Sequence, residues 1–144
     1  MGVDPRKKQM FLKPLLGRPD VLHVLRNETR GNVLARNIEA ALDSRTRRRG
    51  LLGRDGLAEG TALIIAPCNA IHTFFMRFPI DVLFVARDGT VVRASENVGP
   101  WRMRAALRAF ATIEFASGAI RAAGIQRGDR LGVSPETGAV EVVP

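Results

Sequence analysis

The chain has 144 residues, of which 46% are hydrophobic and 25% charged, so it can bury a core without disulfides or metal. Its single cysteine, Cys68, excludes an internal disulfide and a zinc site built from several cysteines. The formal net charge of +8 comes mainly from residues 1–20 and 42–56, each with five Lys or Arg and two Asp. No apolar run is long enough to span a membrane or to form the apolar region of a signal peptide, so we expect a cytoplasmic protein.

The first segment, residues 1–20, is basic and interrupted by prolines, and it is predicted to be a flexible tail. Residues 21–144 are predicted to form a single β-rich domain. Its first strands are expected at residues 21–26 and 33–37, on either side of a turn that contains Gly31.

Residues 38–50 contain helix-forming side chains and end on a glycine. Asp43 or Ser44 is a suitable N-cap for a short helix whose last turn is rich in arginine. Because the C-terminal end of a helix favours positive charge, this pattern predicts a helix within the segment.

The middle of the chain is dominated by short apolar runs that predict strands at residues 61–66, 71–76 and 80–86. The last of these is apolar at nearly every position, so both of its faces should be buried. Asp88-Gly89 follows it, which favours a hairpin with a type I′ turn.

The C-terminal part mixes strand and helix signals. Residues 97–110 have loosely helical spacing, residues 112–116 alternate as in a strand, and residues 117–123 suit one or two helical turns. Two last strands are expected at residues 129–133 and 139–143. These elements together predict a β-sandwich or barrel with one or two short helices.

Three ordered stretches of the sequence form one set: Arg49-Gly50-Leu51-Leu52-Gly53-Arg54, then His72-Thr73-x-x-Met76-x-x-Pro79-Ile80-Asp81 with the Asp88-Gly89 turn, then Ile113-Glu114-x-x-x-Gly118 with Gly128-Asp129. In this order and spacing they resemble the family known as domain of unknown function 192, over roughly residues 33–133. The resemblance implies a mainly β, jelly-roll-like fold and no established activity.

Asp81 lies in an otherwise apolar strand, so its carboxylate needs a strong partner. We expect that partner to be an arginine from Arg45–Arg54, either as a buried clamp or beside a ligand groove. Glu114 lies on the polar side of its strand, where a solvated position is slightly favoured. The candidate ligand or clamp cluster consists of Arg49, Arg54, His72, Met76, Asp81 and Glu114.

Cys68 and His72 are four residues apart and have the types needed for a nucleophile and its base. A buried, inert cysteine with a structural histidine is the favoured interpretation, because Pro67 argues against a helix that would bring them together. His23 is expected to be an ordinary strand residue. No metal site and no cofactor are predicted.

Three functions remain open. A non-enzymatic accessory domain that binds a small ligand or a protein in a groove is favoured. The alternative is a small hydrolase-like or lyase-like enzyme that uses His72, Asp81 and Glu114. A nucleic-acid contact through Arg45–Arg49, with Trp101 as a stacking side chain, is considered unlikely because the rest of the chain is nearly neutral.

Overall fold

The computed structural model describes residues 10–17 and 22–136, and within them it contains ten strands and three short helices. The strands are β1 (His23–Asn27), β2 (Asn32–Ala35), β3 (Asn37–Ala41), β4 (Thr61–Ile65), β5 (Ala70–His72), β6 (Ile80–Val85), β7 (Val91–Val98), β8 (Met103–Ala105), β9 (Ala111–Ala116) and β10 (Leu131–Pro135). The helices are α1 (Lys13–Gly17), α2 (Ser44–Arg49) and α3 (Ala119–Ala123). The predicted mainly β fold class is therefore confirmed.

The strands form three sheets. A five-stranded sheet has the order β3-β4-β9-β6-β7, a three-stranded sheet has the order β10-β1-β2, and β5 pairs with β8. Neighbouring strands are antiparallel except β3 and β4, which run parallel. The arrangement is sandwich-like and is not a closed barrel, which decides between the two predicted architectures.

Strand β6 lies between β9 and β7, inside the five-stranded sheet. All six of its residues are buried, as its apolar sequence predicts. Its neighbour β9 is also buried at five of six positions. These two strands therefore carry side chains into apolar surroundings on both faces of the sheet.

The first face of the five-stranded sheet packs against the three-stranded sheet. Leu83 and Ile113 from the larger sheet meet Leu25 and Val133 from the smaller one in a single core. The second face carries Val82 and Phe84 and is covered by the β5–β8 pair and by the segment that follows α2. Leu51, Ile71 and Met76 are the buried side chains of that cover. The five-stranded sheet is therefore the middle layer.

The short helix predicted within residues 38–50 is confirmed, and it occupies Ser44–Arg49. The residues that precede it, Asn37–Ala41, form β3 in register with Thr61–Ile65, because pairing at the sheet edge overrides the helix propensity of their Glu and Ala side chains. The helix begins after Asp43, whose side chain accepts a 2.8 Å hydrogen bond from the Thr46 N–H. The cap prediction is confirmed, and this contact lowers the pKa of Asp43.

Several other boundaries differ from the predictions. The strand predicted over residues 71–76 ends at His72, and residues 97–110 contain the short strand β8 instead of a helix. In the turn after β6, Gly89 has a positive φ and Asp88 does not, so the turn is not type I′. The strand predicted at residues 139–143 lies outside the described residues.

The prediction of a flexible tail is wrong for the part of it that the structure describes. Phe11 and Leu12 are buried in the core of the first face, 7% and 1% exposed. The Phe11 N–H donates to the Arg87 carbonyl oxygen at 3.0 Å, and α1 follows directly. The prediction rested on the charges and prolines of this segment and gave no structural role to its two apolar side chains, Phe11 and Leu12.

Candidate functional site

A cavity of about 430 Å³ lies between α2, β5 and the second face of the five-stranded sheet. The cavity is open to solvent, and the arginine side chains of α2 form part of its lining. The polar and sulfur-containing residues that line it are Ser44, Arg47, Arg48, Arg49, Cys68, His72, Met76 and Glu114.

Glu114 is buried on this second face. It pairs in register with Val82 of β6 and with Leu63 of β4, both fully apolar neighbours, and is 5% exposed. Its Oε2 atom is buried and has no hydrogen-bond partner. Burial raises the pKa of Glu114 from 4.5 to about 7, although the charge of Arg54 opposes this rise. The prediction of a solvated position for Glu114 is wrong.

Arg54 is close enough to influence Glu114 but is engaged elsewhere. Its guanidinium donates two hydrogen bonds, of 2.8 and 3.2 Å, to the carboxylate of Glu39. Glu39 and Glu114 flank Leu63 in the same cross-strand row, so the two carboxylates compete for one arginine. Glu39, on the edge strand β3, forms the ion pair with Arg54, so Glu114 has no direct partner among the described residues.

The arginines of α2 differ in how they are held. Arg47 donates to the carbonyl oxygens of Pro67 and Asp43 and to the Ser44 hydroxyl, so its side chain is fixed across the cavity wall. Arg48 donates to the Ser44 carbonyl oxygen. Arg49 is exposed and its side chain has no hydrogen-bond partner among the described residues, so its guanidinium is available to a ligand.

Cys68 and His72 both line the cavity but do not form a catalytic pair. The Cys68 thiol donates to the Ala70 carbonyl oxygen, with a 3.1 Å distance from sulfur to oxygen. His72 Nδ1 accepts a hydrogen bond from the Phe74 N–H at 3.3 Å, and its ring stacks on that of Phe74. Each side chain is thus satisfied by its own neighbours.

Asp81 lies on the opposite face of the sheet from Glu114, because it pairs with Phe115 and the side chains of adjacent strand residues alternate. The predicted arginine partner is wrong. Its Oδ1 accepts from the Asn97 N–H at 2.8 Å, and its Oδ2 accepts from the N–H groups of Gly118 and Ile120 at 3.1 and 2.9 Å. Asp81 therefore joins the end of β7 to the start of α3 and lies outside the cavity.

The structure brings together four members of the predicted cluster, Arg49, His72, Met76 and Glu114, at one cavity. Arg54 lies beside it, and Asp81 does not belong to it. The sequence does not predict the ion pair of Glu39 with Arg54, because that pair depends on which residues of β3, β4 and β9 lie next to each other in the sheet. The described part of the chain holds no group of three or more His, Cys, Asp or Glu that suits a metal ion.

A family model described as an uncharacterised group, domain of unknown function 192, matches residues 25–133, which is most of the chain. The chain belongs to this family. The predicted membership is confirmed, and the cavity described above lies within the matched region. No curated protein matches the chain.

Two solved structures share the fold of this protein. A candidate transcription regulator from Sinorhizobium meliloti 1021 is 23% identical, with a TM-score of 0.68 over 78% of this chain and 92% of that one. A protein of unknown function from Novosphingobium aromaticivorans DSM 12444 is 24% identical, with a TM-score of 0.65 over 76% of this chain and 82% of that one. At these identities the likeness establishes the fold alone.

None of the helices within residues 10–17 and 22–136 is long and apolar enough to cross a membrane.

Proposed function

We propose that this protein binds a small polar molecule that carries both hydrogen-bond donors and an anionic group. The observation that carries the proposal is the buried Oε2 of Glu114, which has no partner and lies at the wall of an open cavity. Protein folds rarely leave a buried side-chain oxygen unsatisfied, because its desolvation is not repaid. A ligand donor in the cavity supplies the missing hydrogen bond.

The arginines that line the same cavity support the anionic part of the ligand. Arg48 and Arg49 are exposed, and the Arg49 side chain has no hydrogen-bond partner among the described residues. A guanidinium offers parallel N–H donors that match a carboxylate or phosphate. The cavity volume of about 430 Å³ is in the range of small-molecule sites.

Binding is favoured over catalysis by the positions of the candidate catalytic groups. Asp81 faces away from Glu114, across the sheet, and its oxygens are occupied by backbone N–H groups. Cys68 donates to a backbone carbonyl instead of to His72. The enzyme alternative therefore loses the carboxylate pair of Asp81 and Glu114 that motivated it, and Cys68 and His72 do not supply a cysteine–histidine pair in its place.

The experiment is a thermal-shift screen followed by calorimetric titration. Amino acids, nucleoside monophosphates and sugar acids are the probes, because each class combines donors with an anionic group. We expect at least one probe to raise the melting temperature and to bind Glu114→Gln and Arg49→Ala at least about tenfold more weakly, which corresponds to about 1.4 kcal/mol.

The matched control is Glu59→Gln, which makes the same substitution at an exposed position outside the cavity. It should bind the probe as the unmodified protein does. Absence of binding in all three classes, or binding that Glu114→Gln leaves unchanged, contradicts the proposal.

A further inference from the structure

Four aromatic rings form a continuous series beside the cavity, which we call the aromatic shelf: His72, Phe74, Trp101 and Phe75. The ring centroids of His72 and Phe74 are 5.0 Å apart, those of Phe74 and Trp101 are 5.7 Å apart, and those of Trp101 and Phe75 are 4.7 Å apart. His72 also lines the cavity, so the shelf begins where the cavity opens.

Phe75 and Trp101, the two rings of the shelf that lie farther from His72, are exposed, and the backbone of each residue is strained. Phe75 is 72% exposed with φ of 66°, and Trp101 is 56% exposed with φ of 63°. A left-handed conformation is costly for a large side chain, and the exposed rings recover little of that cost by burial. Strain that packing does not repay is typical of residues held in place to contact a ligand.

Thr73 fixes the two loops that carry the shelf. Its hydroxyl donates to the Gly99 carbonyl oxygen at 2.6 Å and accepts from the Arg102 N–H at 2.9 Å. Its carbonyl oxygen accepts from the N–H groups of Trp101 and Met76 at 3.0 and 3.1 Å. Thr73 is fully buried, so its hydrogen bonds hold the backbone that carries the exposed rings in a fixed position.

Positive charge lies on both sides of this combined surface. Arg102 follows Trp101 and is exposed, and the arginines of α2 line the cavity that begins at the other end of the shelf. The arginine run and Trp101, which the sequence offered together as a nucleic-acid contact, are remote along the chain. In the structure the arginines line the cavity and Trp101 lies on the shelf that begins at its His72 side.

We propose that the ligand of this site is single-stranded nucleic acid, with one base in the cavity and its neighbours stacked on Phe75 and Trp101. This inference rests on the proposed function: the small polar group held in the cavity is then one nucleotide of the strand. Each nucleotide combines the three features that the surface matches: a planar ring for the shelf, base N–H donors for Glu114, and a phosphate for the arginines. A bilayer matches the exposed rings and the arginines but carries no planar ring to stack on Phe75 and Trp101.

The test is fluorescence anisotropy with a labelled oligo-dC of about ten nucleotides, within the range that single-strand-binding folds cover. An abasic oligonucleotide of equal length keeps the phosphates and lacks the rings. We expect the abasic strand to bind at least about tenfold more weakly. Phe75→Gly and Trp101→Ala should each weaken oligo-dC binding by about 5- to 150-fold, the range measured for loss of one base stack.

Two further readouts separate contact from structure. Phe75→Gly should not lower the melting temperature, because glycine adopts a positive φ without strain. Leu107→Ala is the matched control, since Leu107 is 90% exposed and has no ring, and it should leave oligo-dC binding unchanged. Arg49→Ala should reduce the slope of log K against log salt by about 0.7, the value for one phosphate on a single strand.

Equal binding of the abasic strand overturns the inference, because charge alone would then explain the affinity. Binding to phosphatidylglycerol vesicles that depends on Phe75, Trp101 and Leu107 alike, without binding to oligo-dC, overturns it in favour of a membrane surface. If cytidine monophosphate binds in a Glu114-dependent way but oligo-dC binds no more tightly, the inference fails and the proposed function stands. If no probe of either kind binds, both fail.

Discussion

The carboxyl group of Glu114 is buried among apolar side chains, and its ionisation opposes folding. Because burial raises its pKa from 4.5 to about 7, the folded protein binds a proton more readily than the unfolded chain does. The stabilisation from this proton is fully present below about pH 4.5 and is lost as the pH rises through 7. At about 1.4 kcal/mol per pKa unit, the difference corresponds to about 3 kcal/mol.

We therefore expect Glu114→Met to stabilise the protein without ligand by about 2–3 kcal/mol at pH 8, and by much less at pH 5. Methionine fills a similar volume among Leu63 and Val82 and removes the ionisable group. Urea denaturation at both pH values measures the effect, with Glu59→Gln as the exposed control. A variant that is equally stabilised at both pH values would show that Glu114 does not titrate near neutrality.

Asp81 illustrates the opposite case, in which a buried carboxylate is fully satisfied. Its replacement by alanine removes the acceptor for three backbone N–H groups, those of Asn97, Gly118 and Ile120. We expect Asp81→Ala to cost about 3 kcal/mol or more in the free energy of unfolding, because buried donors are left unpaired. Asp55→Ala, at an exposed aspartate, is the control for denaturation measurements. A cost below about 1 kcal/mol would mean that water replaces the carboxylate.

At the scale of elements, the strands that are apolar on both faces were predictable, and the polar ones were not. The sequence of β6 leaves no exposed face, so its central position follows from composition alone. The side chains of residues 38–41 favour a helix, and nothing local reveals that Asn37–Ala41 pairs with Thr61–Ile65 of β4. The burial of Glu114 could not be predicted for the same reason. The alternation in its strand marks this face as polar, and only packing against other segments covers it.

Phe84 of β6 and Phe75 of the aromatic shelf form a matched pair of phenylalanines for a stability test. Phe84 is fully buried on the second face, whereas Phe75 is 72% exposed on the aromatic shelf. We expect Phe84→Ala to cost about 3–5 kcal/mol in unfolding free energy, since it opens a cavity in a packed core. The same substitution at Phe75 should leave stability unchanged or slightly higher. Similar costs at the two positions would contradict the assignment of β6 to the middle layer.

At the scale of the whole molecule, the first face of the middle sheet is closed partly by the N-terminal segment. Phe11 and Leu12 are buried against it, although the charge and prolines around them predict a flexible tail. Four residues of the predicted cluster line one cavity, but Asp81, which was predicted with them, lies on the other face of the sheet. The sequence could not predict this geometry, because the pairing of Arg54 with Glu39 instead of Glu114 depends on contacts between segments that are remote in sequence.

We expect deletion of residues 1–17 to lower the melting temperature by about 8 °C or more. Burial of two large apolar side chains contributes about 3–5 kcal/mol, and about 1 kcal/mol corresponds to several degrees in a chain of this size. Deletion of residues 1–9 is the control, because it retains Phe11 and Leu12. Differential scanning calorimetry measures both variants, and equal melting temperatures for the two deletions would show that this contact is not stabilising.

The parallel pairing of β3 and β4 has a consequence for how such a site can diverge. Parallel neighbours require a long crossover connection, and here that connection contains α2 and the arginines that line the cavity. The backbone pairing of β3 with β4 does not involve the guanidinium groups of α2, so substitution of those arginines changes the charge at the cavity without changing the strand register. Ligand preference can therefore diverge through the side chains of α2 on an unchanged sheet.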